Sequence, residues 1–236
     1  MWLERSKLLF GEDKMGALQG ANVLVVGLGG VGAYAAEMLV RAGVGHMTIL
    51  DSDSVAPSNI NRQLVALHST IGMDKVDVLA QRLQDINPQL ELSARKCYLD
   101  VEGVDGLLQE GYDFVVDAID TVAPKVALLA ACMQQGIAVV SSMGAGARID
   151  PSQIRYADIA DTFHCGLARA VRTRLRKMRV KGKLPVVFST EVPRAEAVQE
   201  VIGERNKRTT VGTVSYMPAI FGCFLASYVI RKLTQQ

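Results

Sequence analysis

An apolar run, a glycine-rich turn and a helical pattern follow one another directly between residues 22 and 43. The run NVLVVG is typical of a buried strand, and the segment 31–43 has the small residues and the glycine stop of a helix. The turn between them reads GLGGVG, with glycines at 27, 29, 30 and 32. A strand and a helix joined in this way predict the nucleotide-binding corner of a Rossmann-like sheet.

Each part of this turn has a physical use in binding phosphate. Gly27 permits the tight bend, Gly29 and Gly30 let the backbone approach a ligand, and Gly32 lets the helix pack on the strand. The first N–H groups of that helix then face the ligand with a partial positive charge. Asp51 ends the next predicted strand, where a carboxylate can accept hydrogen bonds from both ribose hydroxyls. The alternative is that this segment is only a tight turn between a strand and a helix and binds no ligand.

The remaining chain alternates between strand-like and helical patterns up to about residue 145. This alternation predicts a parallel sheet with right-handed crossovers. This alternation ends at the segment ARIDPSQIRYADI, which indicates an antiparallel excursion. The predicted fold is therefore α/β, a doubly wound Rossmann-like and mostly parallel sheet with an antiparallel extension in a single domain. The strand-like segments are 46–51, 90–97, 112–120 and 137–142, and the helical ones are 74–87 and 123–136.

Three regions divide the chain. Residues 1–20 form a helical segment broken near Gly11, 21–145 form the nucleotide-binding core, and 146–236 hold the antiparallel extension. The last region also contains a basic segment, a polar stretch at 192–210 predicted to be a mobile loop, and a C-terminal helix. Its apolar stretch 214–230 is short for a bilayer span and is diluted by proline, glycine and serine. We expect a buried core helix there rather than membrane association.

Composition sets broad limits on the class of protein. With 236 residues, 49% of them hydrophobic, the chain can bury a substantial core, and a net charge of +2 creates no global field. None of the four cysteines lies in a CxxC pair, which argues against a disulfide framework and a zinc ribbon. The N-terminus lacks the apolar region of a signal peptide. Free thiols then favour a reducing, cytoplasmic location.

Two polar motifs favour ATP over a dinucleotide. SNINRQ (58–63) supplies hydrogen-bonding side chains and Arg62, which can bind phosphate bidentately, although Arg62 alone could be an ordinary surface charge. GMDK then supplies Lys75 as a point charge. Beside the glycine turn, these groups would surround a triphosphate rather than a nicotinamide ring.

DAID (117–120) ends the fourth predicted strand, at the edge where parallel sheets bind ligands. Asp120 is therefore a candidate to hold Mg²⁺ against phosphates. An N-cap of the following helix is the alternative role for Asp120. Asp117, inside the strand, is predicted to be structural.

These stretches together resemble the E1-like, ThiF-type adenylating family, which includes the activators of molybdopterin and thiamin sulfur carriers and of ubiquitin. The resemblance runs through ERSKLLFG, GLGGVG, LDSDSVAPSNINRQ, GMDK and DAIDT. It implies binding of Mg²⁺ and ATP, attack of a carboxylate on the α-phosphate, and release of pyrophosphate. Whether a monovalent cation also binds is left open.

Matching positions imply the site residues. The catalytic residues would be Arg62, Lys75, Asp120 with its Mg²⁺, and Arg5, which in this family reaches across a homodimer. The full nucleotide-binding set is Gly27, Gly29, Gly30, Gly32, Asp51, Asp53, Ser58, Asn59, Asn61, Arg62, Gln63, Lys75, Asp120 and Thr121.

A basic segment follows the core, and no acidic residue interrupts it from Thr162 to Thr190. A run of cations is often a solvated helix face, but this density favours contact with a polyanion. The candidate contacts, which the resemblance described next assigns to tRNA, are Arg169, Arg172, Arg174, Arg176, Lys177 and Arg179.

With SSMGAGARIDPSQIRYADI and LPVVFSTE, the basic segment resembles the branch of the family that acts on threonylcarbamoyladenosine in tRNA. That resemblance implies adenylation of the nucleoside's carboxylate, followed by cyclisation without an obligatory protein thiol. Two alternatives remain. An activator of a ubiquitin-like sulfur carrier would use Cys165 beside His164 as nucleophile, whereas a nucleotide-sensing module would bind ATP without turnover. Cys132 and Cys223 lie in apolar helical runs and are expected in the core.

Overall fold

The structure is a computed structural model that describes residues 2–200 and 209–235. Helices and strands alternate along the first two thirds of the chain, as the sequence predicts. In chain order the elements are α1 (Glu4–Phe10), α2 (Glu12–Gly20), β1 (Asn22–Val26), α3 (Gly32–Ala42), β2 (His46–Asp51), α4 (Lys75–Ile86), β3 (Glu91–Lys96), α5 (Gly103–Leu108), β4 (Phe114–Asp117), α6 (Val122–Gln135), β5 (Val139–Ser142), β6 (Ile154–Asp158), α7 (Gly166–Lys177), β7 (Pro185–Ser189), β8 (Val198–Glu200), β9 (Thr209–Val211) and α8 (Tyr216–Leu233).

Seven strands form one sheet in the order β3-β2-β1-β4-β5-β7-β6. The first six are parallel, and β6 pairs antiparallel with β7 at one edge. The strand order reverses between β1 and β4, which is where open α/β sheets bind ligands. The predicted fold class is confirmed, including the antiparallel excursion.

Helices cover both faces of the sheet and produce two apolar cores. One core contains side chains of α3, α4 and α8, and the other contains side chains of α5, α6 and α7. The α3 and α8 backbones approach closely at Gly222, where a Cβ would lie 2.5 Å from the carbonyl oxygen of Val31. The apolar stretch 214–230 is therefore a packed core helix, as expected. In the described ranges, no helix is long and apolar enough to cross a membrane.

The structure differs from the predicted elements in three places. β4 ends at Asp117, because the Asp117 carboxylate accepts a hydrogen bond from the N–H of Ile119 and the chain turns there. α5 was not predicted, since six residues show less than two turns of periodicity. Part of the polar stretch 192–210 is regular, because β8 and β9 pair as an antiparallel ribbon. The predicted mobility of its centre, 201–208, lies outside the described residues.

Candidate nucleotide-binding site

A cavity of about 620 Å³ opens at the carboxyl ends of β1, β2 and β4. The glycine turn forms one wall, and the segments after β2 and β4 form others. Most residues predicted to bind nucleotide line this cavity: Gly27, Gly29, Gly30, Asp51, Asp53, Ser58, Asn59, Arg62, Gln63, Lys75, Asp120 and Thr121. The lining does not include Gly32, Asn61 or Arg5. Arg5 is exposed on α1, and its role across a dimer stays a prediction.

The glycine turn is shaped by backbone contacts that exclude side chains. Gly27 has a φ of +88°, and a Cβ there would lie 2.8 Å from the carbonyl oxygen of Ala118. A Cβ on Gly32 would lie 1.8 Å from the carbonyl oxygen of Gly27, so α3 starts directly against β1. Gly32 therefore acts through packing and does not need to touch the ligand.

Two single substitutions in this turn distinguish an effect on stability from an effect on ligand binding. Gly32→Ala is expected to reduce the free energy of unfolding by about 3 kcal/mol or more, at or above the upper range for overpacking, because its Cβ overlaps backbone that cannot move aside. Gly29→Ala is expected to fold normally, because the nearest atom to its Cβ is Gln63 Nε2 at 3.7 Å. It should weaken ATP binding by crowding the phosphates. Thermal unfolding and ATP titration calorimetry measure the two effects, and equal losses of stability would contradict this division.

Asp51 joins the glycine turn to β2. Its Oδ2 accepts a hydrogen bond from the N–H of Leu28 at 2.6 Å, and its Oδ1 accepts one from the N–H of Asp53 at 2.8 Å. Each carboxylate oxygen can accept more than one hydrogen bond, so a contact with ribose remains available. The sequence predicted the ribose contact but not the structural one.

Ion pairs and hydrogen bonds hold the cationic side chains of the cavity in place. Lys75 is only 4% exposed, and its Nζ lies 2.8 Å from Asp53 Oδ2. Arg62 Nη1 donates to the carbonyl of Ser58 at 2.8 Å and to Asn61 Oδ1 at 2.9 Å. Asn61 in turn donates to the carbonyl of Thr213 at 2.9 Å. Asn61 thus orients Arg62 and does not face the cavity.

A buried ion pair lies beneath the segment that carries Asp120. Asp117 and Lys125 are each 0% exposed, and Lys125 Nζ lies 2.6 Å from Asp117 Oδ2. Lys125 also donates to the carbonyl of Ile119, and Ser141 Oγ donates to Asp117 Oδ2 at 2.6 Å. Asp117 is structural, as predicted, whereas Lys125 was missed. Its only signal was a lysine inside the apolar helical pattern 123–136.

Asp120 is exposed at the cavity and lies in the turn before α6. Thr121 occupies the N-cap position of α6, so the alternative role of Asp120 as N-cap is wrong. In the part of the chain that the structure describes, no three His, Cys, Asp or Glu side chains form a metal cluster. Asp120 is therefore an exposed carboxylate at the cavity that belongs to no such cluster.

The basic segment forms α7, whose buried face consists of Ala168, Val171 and Leu175. Arg172 Nη1 donates to the carbonyls of Ile159 and Thr162 and to Thr162 Oγ1, at 2.7–3.1 Å. Arg172 is thus committed to a structural contact that its place in the basic run did not reveal. The candidates that remain exposed are Arg169, Arg174, Arg176, Lys177 and Arg179.

A second arginine was missed altogether. The Arg148 side chain is buried, and its guanidinium donates to the carbonyls of Gly144, Gly146, His164 and Glu191 at 2.6–3.3 Å. Gly146 lines the cavity, and His164 lies two residues before α7. Arg148 therefore joins the cavity wall to the beginning of the basic helix.

The cysteines have different environments. Cys132 is buried, and burial raises the pKa of its thiol to about 12, so the core assignment is confirmed. Cys223 is exposed on the outer side of α8, and its core assignment was wrong because the helix buries only one side. Cys165 Sγ accepts a hydrogen bond from the N–H of Ala168 at 3.4 Å and caps α7. His164 Nδ1 instead lies 3.1 Å from the carbonyl oxygen of Thr190.

Comparison with known proteins agrees with this geometry along the whole chain. The profile of the ThiF family matches residues 3–236. The tRNA threonylcarbamoyladenosine dehydratases of Bacillus subtilis (strain 168) and Escherichia coli (strain K12) are each 37% identical, over 97% and 95% of this chain and 93% and 90% of their own lengths. The crystal structure of the E. coli dehydratase in complex with ATP superposes with a TM-score of 0.89 at 34% identity, covering 98% of this chain and 93% of that one. This chain belongs to the ThiF family.

Proposed function

We propose that this chain is an ATP-dependent tRNA threonylcarbamoyladenosine dehydratase, which adenylates the carboxylate of N6-threonylcarbamoyladenosine in tRNA and promotes its cyclisation. The observation that carries the proposal is the extent of the match. Identity to dehydratases continues beyond the nucleotide-binding core through β6, α7, β7 and α8. A protein sharing only the ATP chemistry would not need to match in the region that holds the basic helix.

The cavity fits ATP. Arg62 and Lys75 supply positive charge for the phosphates, and the glycine turn presents backbone N–H groups. Gln63 Oε1 is buried and has no hydrogen-bond partner within the described residues. A carboxamide oxygen only accepts hydrogen bonds, so it calls for a donor, and ATP offers the adenine amino group and the ribose hydroxyls.

Asp120 would hold Mg²⁺ together with the phosphates. Magnesium prefers oxygen ligands, keeps several waters, and is commonly held by one or two carboxylates plus phosphate, which suits an exposed aspartate at the cavity. When bound, the ion would neutralise phosphate charge and orient the triphosphate.

The reaction follows from this placement of charge. A carboxylate oxygen of the nucleoside attacks the α-phosphorus, and pyrophosphate leaves. Charge develops on the phosphate oxygens, where Arg62 and Lys75 oppose it, and Arg5 would add a third cation from across a homodimer. The carbamoyl group of the same nucleoside then attacks the activated acyl carbon and gives up a proton. AMP departs with the former carboxylate oxygen, so the nucleoside has lost one water.

Incubation of the purified protein with ATP, Mg²⁺ and tRNA containing threonylcarbamoyladenosine tests the proposal. Mass spectrometry of the digested nucleosides should show loss of one water from that nucleoside, with AMP and pyrophosphate formed in equal amounts. Cys165→Ala should retain this activity, because cyclisation needs no protein thiol. Formation of AMP only with a ubiquitin-like carrier protein, and its loss in Cys165→Ala, would identify a sulfur-carrier activator instead.

The exposed cations of α7 are expected to bind the tRNA backbone. Arg169→Ala combined with Arg176→Ala should weaken tRNA binding and reduce the slope of log affinity against log salt by about 0.7–0.9 for each phosphate that the variant no longer neutralises. Arg172 is left intact, because its removal would disturb structure. Arg41→Ala is the matched control, since Arg41 is half exposed on α3 and pairs with Glu37. An unchanged slope in the double variant would exclude α7 from the tRNA interface. A tRNA substrate and free thiols also support a cytoplasmic location.

A further inference from the structure

Phe163 is an exposed aromatic ring at the beginning of the basic helix. Its side chain is 49% exposed, three residues before α7. Two near-perpendicular ring contacts hold it. The centroid of the Phe188 ring is 5.5 Å away, with an interplanar angle of 82°, and that of the His164 ring is 5.0 Å away, with an interplanar angle of 86°. Phe188 is buried on β7, so the ring is anchored to the sheet while about half of its surface stays open. A single exposed apolar side chain is ordinary by itself, and its surroundings give this one a use.

The ring lies beside the hydrogen-bonded link between the ATP cavity and α7. His164, the next residue, gives its carbonyl to the Arg148 guanidinium, and the same guanidinium binds the carbonyl of Gly146 in the cavity wall. Arg169, in the first turn of α7, is exposed. Phe163 therefore lies within a few residues of a cation of α7 and of the segment that Arg148 joins to the cavity wall.

A tRNA substrate needs such a surface. The reacting carboxylate must reach the α-phosphate inside the cavity, while the phosphates of the same RNA lie on exposed arginines. Unpaired bases of RNA loops are commonly stacked on aromatic rings, and such stacking tolerates different bases because every base has a π-face. An exposed aromatic ring near the exposed arginines adds a stacking contact to their charge.

We propose that Phe163 is a base-stacking residue, which receives a base of the tRNA loop that carries the modified nucleoside. This inference rests on the proposed dehydratase function and adds a residue that positions the substrate. Arg148 sets the place of the ring relative to the cavity, because it binds both segments with one rigid guanidinium.

Phe163→Leu and Phe163→Tyr test the stacking. Leucine keeps apolar bulk but lacks a π-face, so kcat/KM for tRNA should fall about tenfold, mainly through KM, with the KM for ATP unchanged. Tyrosine should remain within about twofold of the unchanged protein, and a purely structural role would not give this rescue with unchanged ATP binding. Tyr156→Leu is the control for loss of any anchored, partly exposed ring, since Tyr156 on the edge strand β6 packs on Phe224 and Tyr228 of α8. Thermal unfolding and sedimentation should show that the variants keep their stability and oligomeric state.

A fluorescence measurement decides the matter even if Phe163→Leu folds poorly. Trp2 is the only tryptophan of the chain, so Phe163→Trp in a Trp2→Phe background reports from one position. Stacking predicts quenching on addition of substrate tRNA but not of ATP alone. Any of four results overturns the inference and leaves the dehydratase function standing. These are wild-type turnover of Phe163→Leu, an equal loss of activity in Tyr156→Leu, an altered oligomeric state as the cause of the loss, and unquenched emission at saturating tRNA. Failure of the unchanged protein to convert the nucleoside overturns both.

Discussion

Lys75→Met is expected to slow ATP–pyrophosphate exchange in the presence of modified tRNA by about 10²- to 10³-fold, the cost of removing one preorganised group that stabilises transition-state charge. Lys75 begins α4 and is buried at the cavity, so its charge acts through little intervening water. Asp53 holds the ammonium in place and is itself exposed, so water can solvate Asp53 after the substitution. The loss should therefore appear mainly in the rate and not in stability.

Lys96→Met is the matched control for Lys75→Met. Lys96 also forms an ion pair at 2.8 Å, with Asp74 Oδ1, but its side chain is half exposed and it does not line the ATP cavity. Exchange in this variant should stay within about twofold of the unchanged protein, because exposed ion pairs contribute little. Similar losses in both variants would show that general electrostatics, and not the position of Lys75, supports the reaction.

Lys125→Met is expected to lower the free energy of unfolding by about 3–5 kcal/mol, the range for removing one partner of a buried ion pair. The substitution leaves the Asp117 carboxylate without its counter-charge at a position that water does not reach. Ser141 and the N–H of Ile119 continue to donate to that carboxylate, but they do not neutralise it. Urea unfolding of the purified protein measures the loss.

Asp117→Asn in the Lys125→Met background should recover part of this stability. The amide oxygen of asparagine can accept the hydrogen bond from the N–H of Ile119, its amide nitrogen can donate to Ser141 Oγ, and no buried charge is left unpaired. Two results would contradict the explanation: a loss below about 1 kcal/mol for Lys125→Met alone, or a double variant less stable than the single one. Either would mean that the pair is solvated or that the loop before α6 rearranges.

Much of the nucleotide-binding region could be predicted from sequence because its signals are local. A glycine turn between a strand and a helix has few possible geometries, and parallel topology brings strand ends to one edge. Asp51, Arg62, Lys75 and Asp120 therefore converge in the structure as their positions predicted. The apolar stretch 214–230, short for a bilayer span and diluted by proline, glycine and serine, was likewise predicted to be a core helix.

Contacts between distant segments decided the remaining features. Nothing in the local sequence distinguishes Arg148 and Arg172 from exposed arginines, yet in the folded structure both guanidinium groups donate hydrogen bonds to backbone carbonyls. Cys223 lies in an apolar helix but faces outward, and Lys125 is charged but fully buried. Local sequence determines conformation and period, because these depend on dihedral sterics and near neighbours. Burial of a side chain, and the partner that replaces its water, depend on segments that lie far apart in the chain. Only the folded structure brings those segments together.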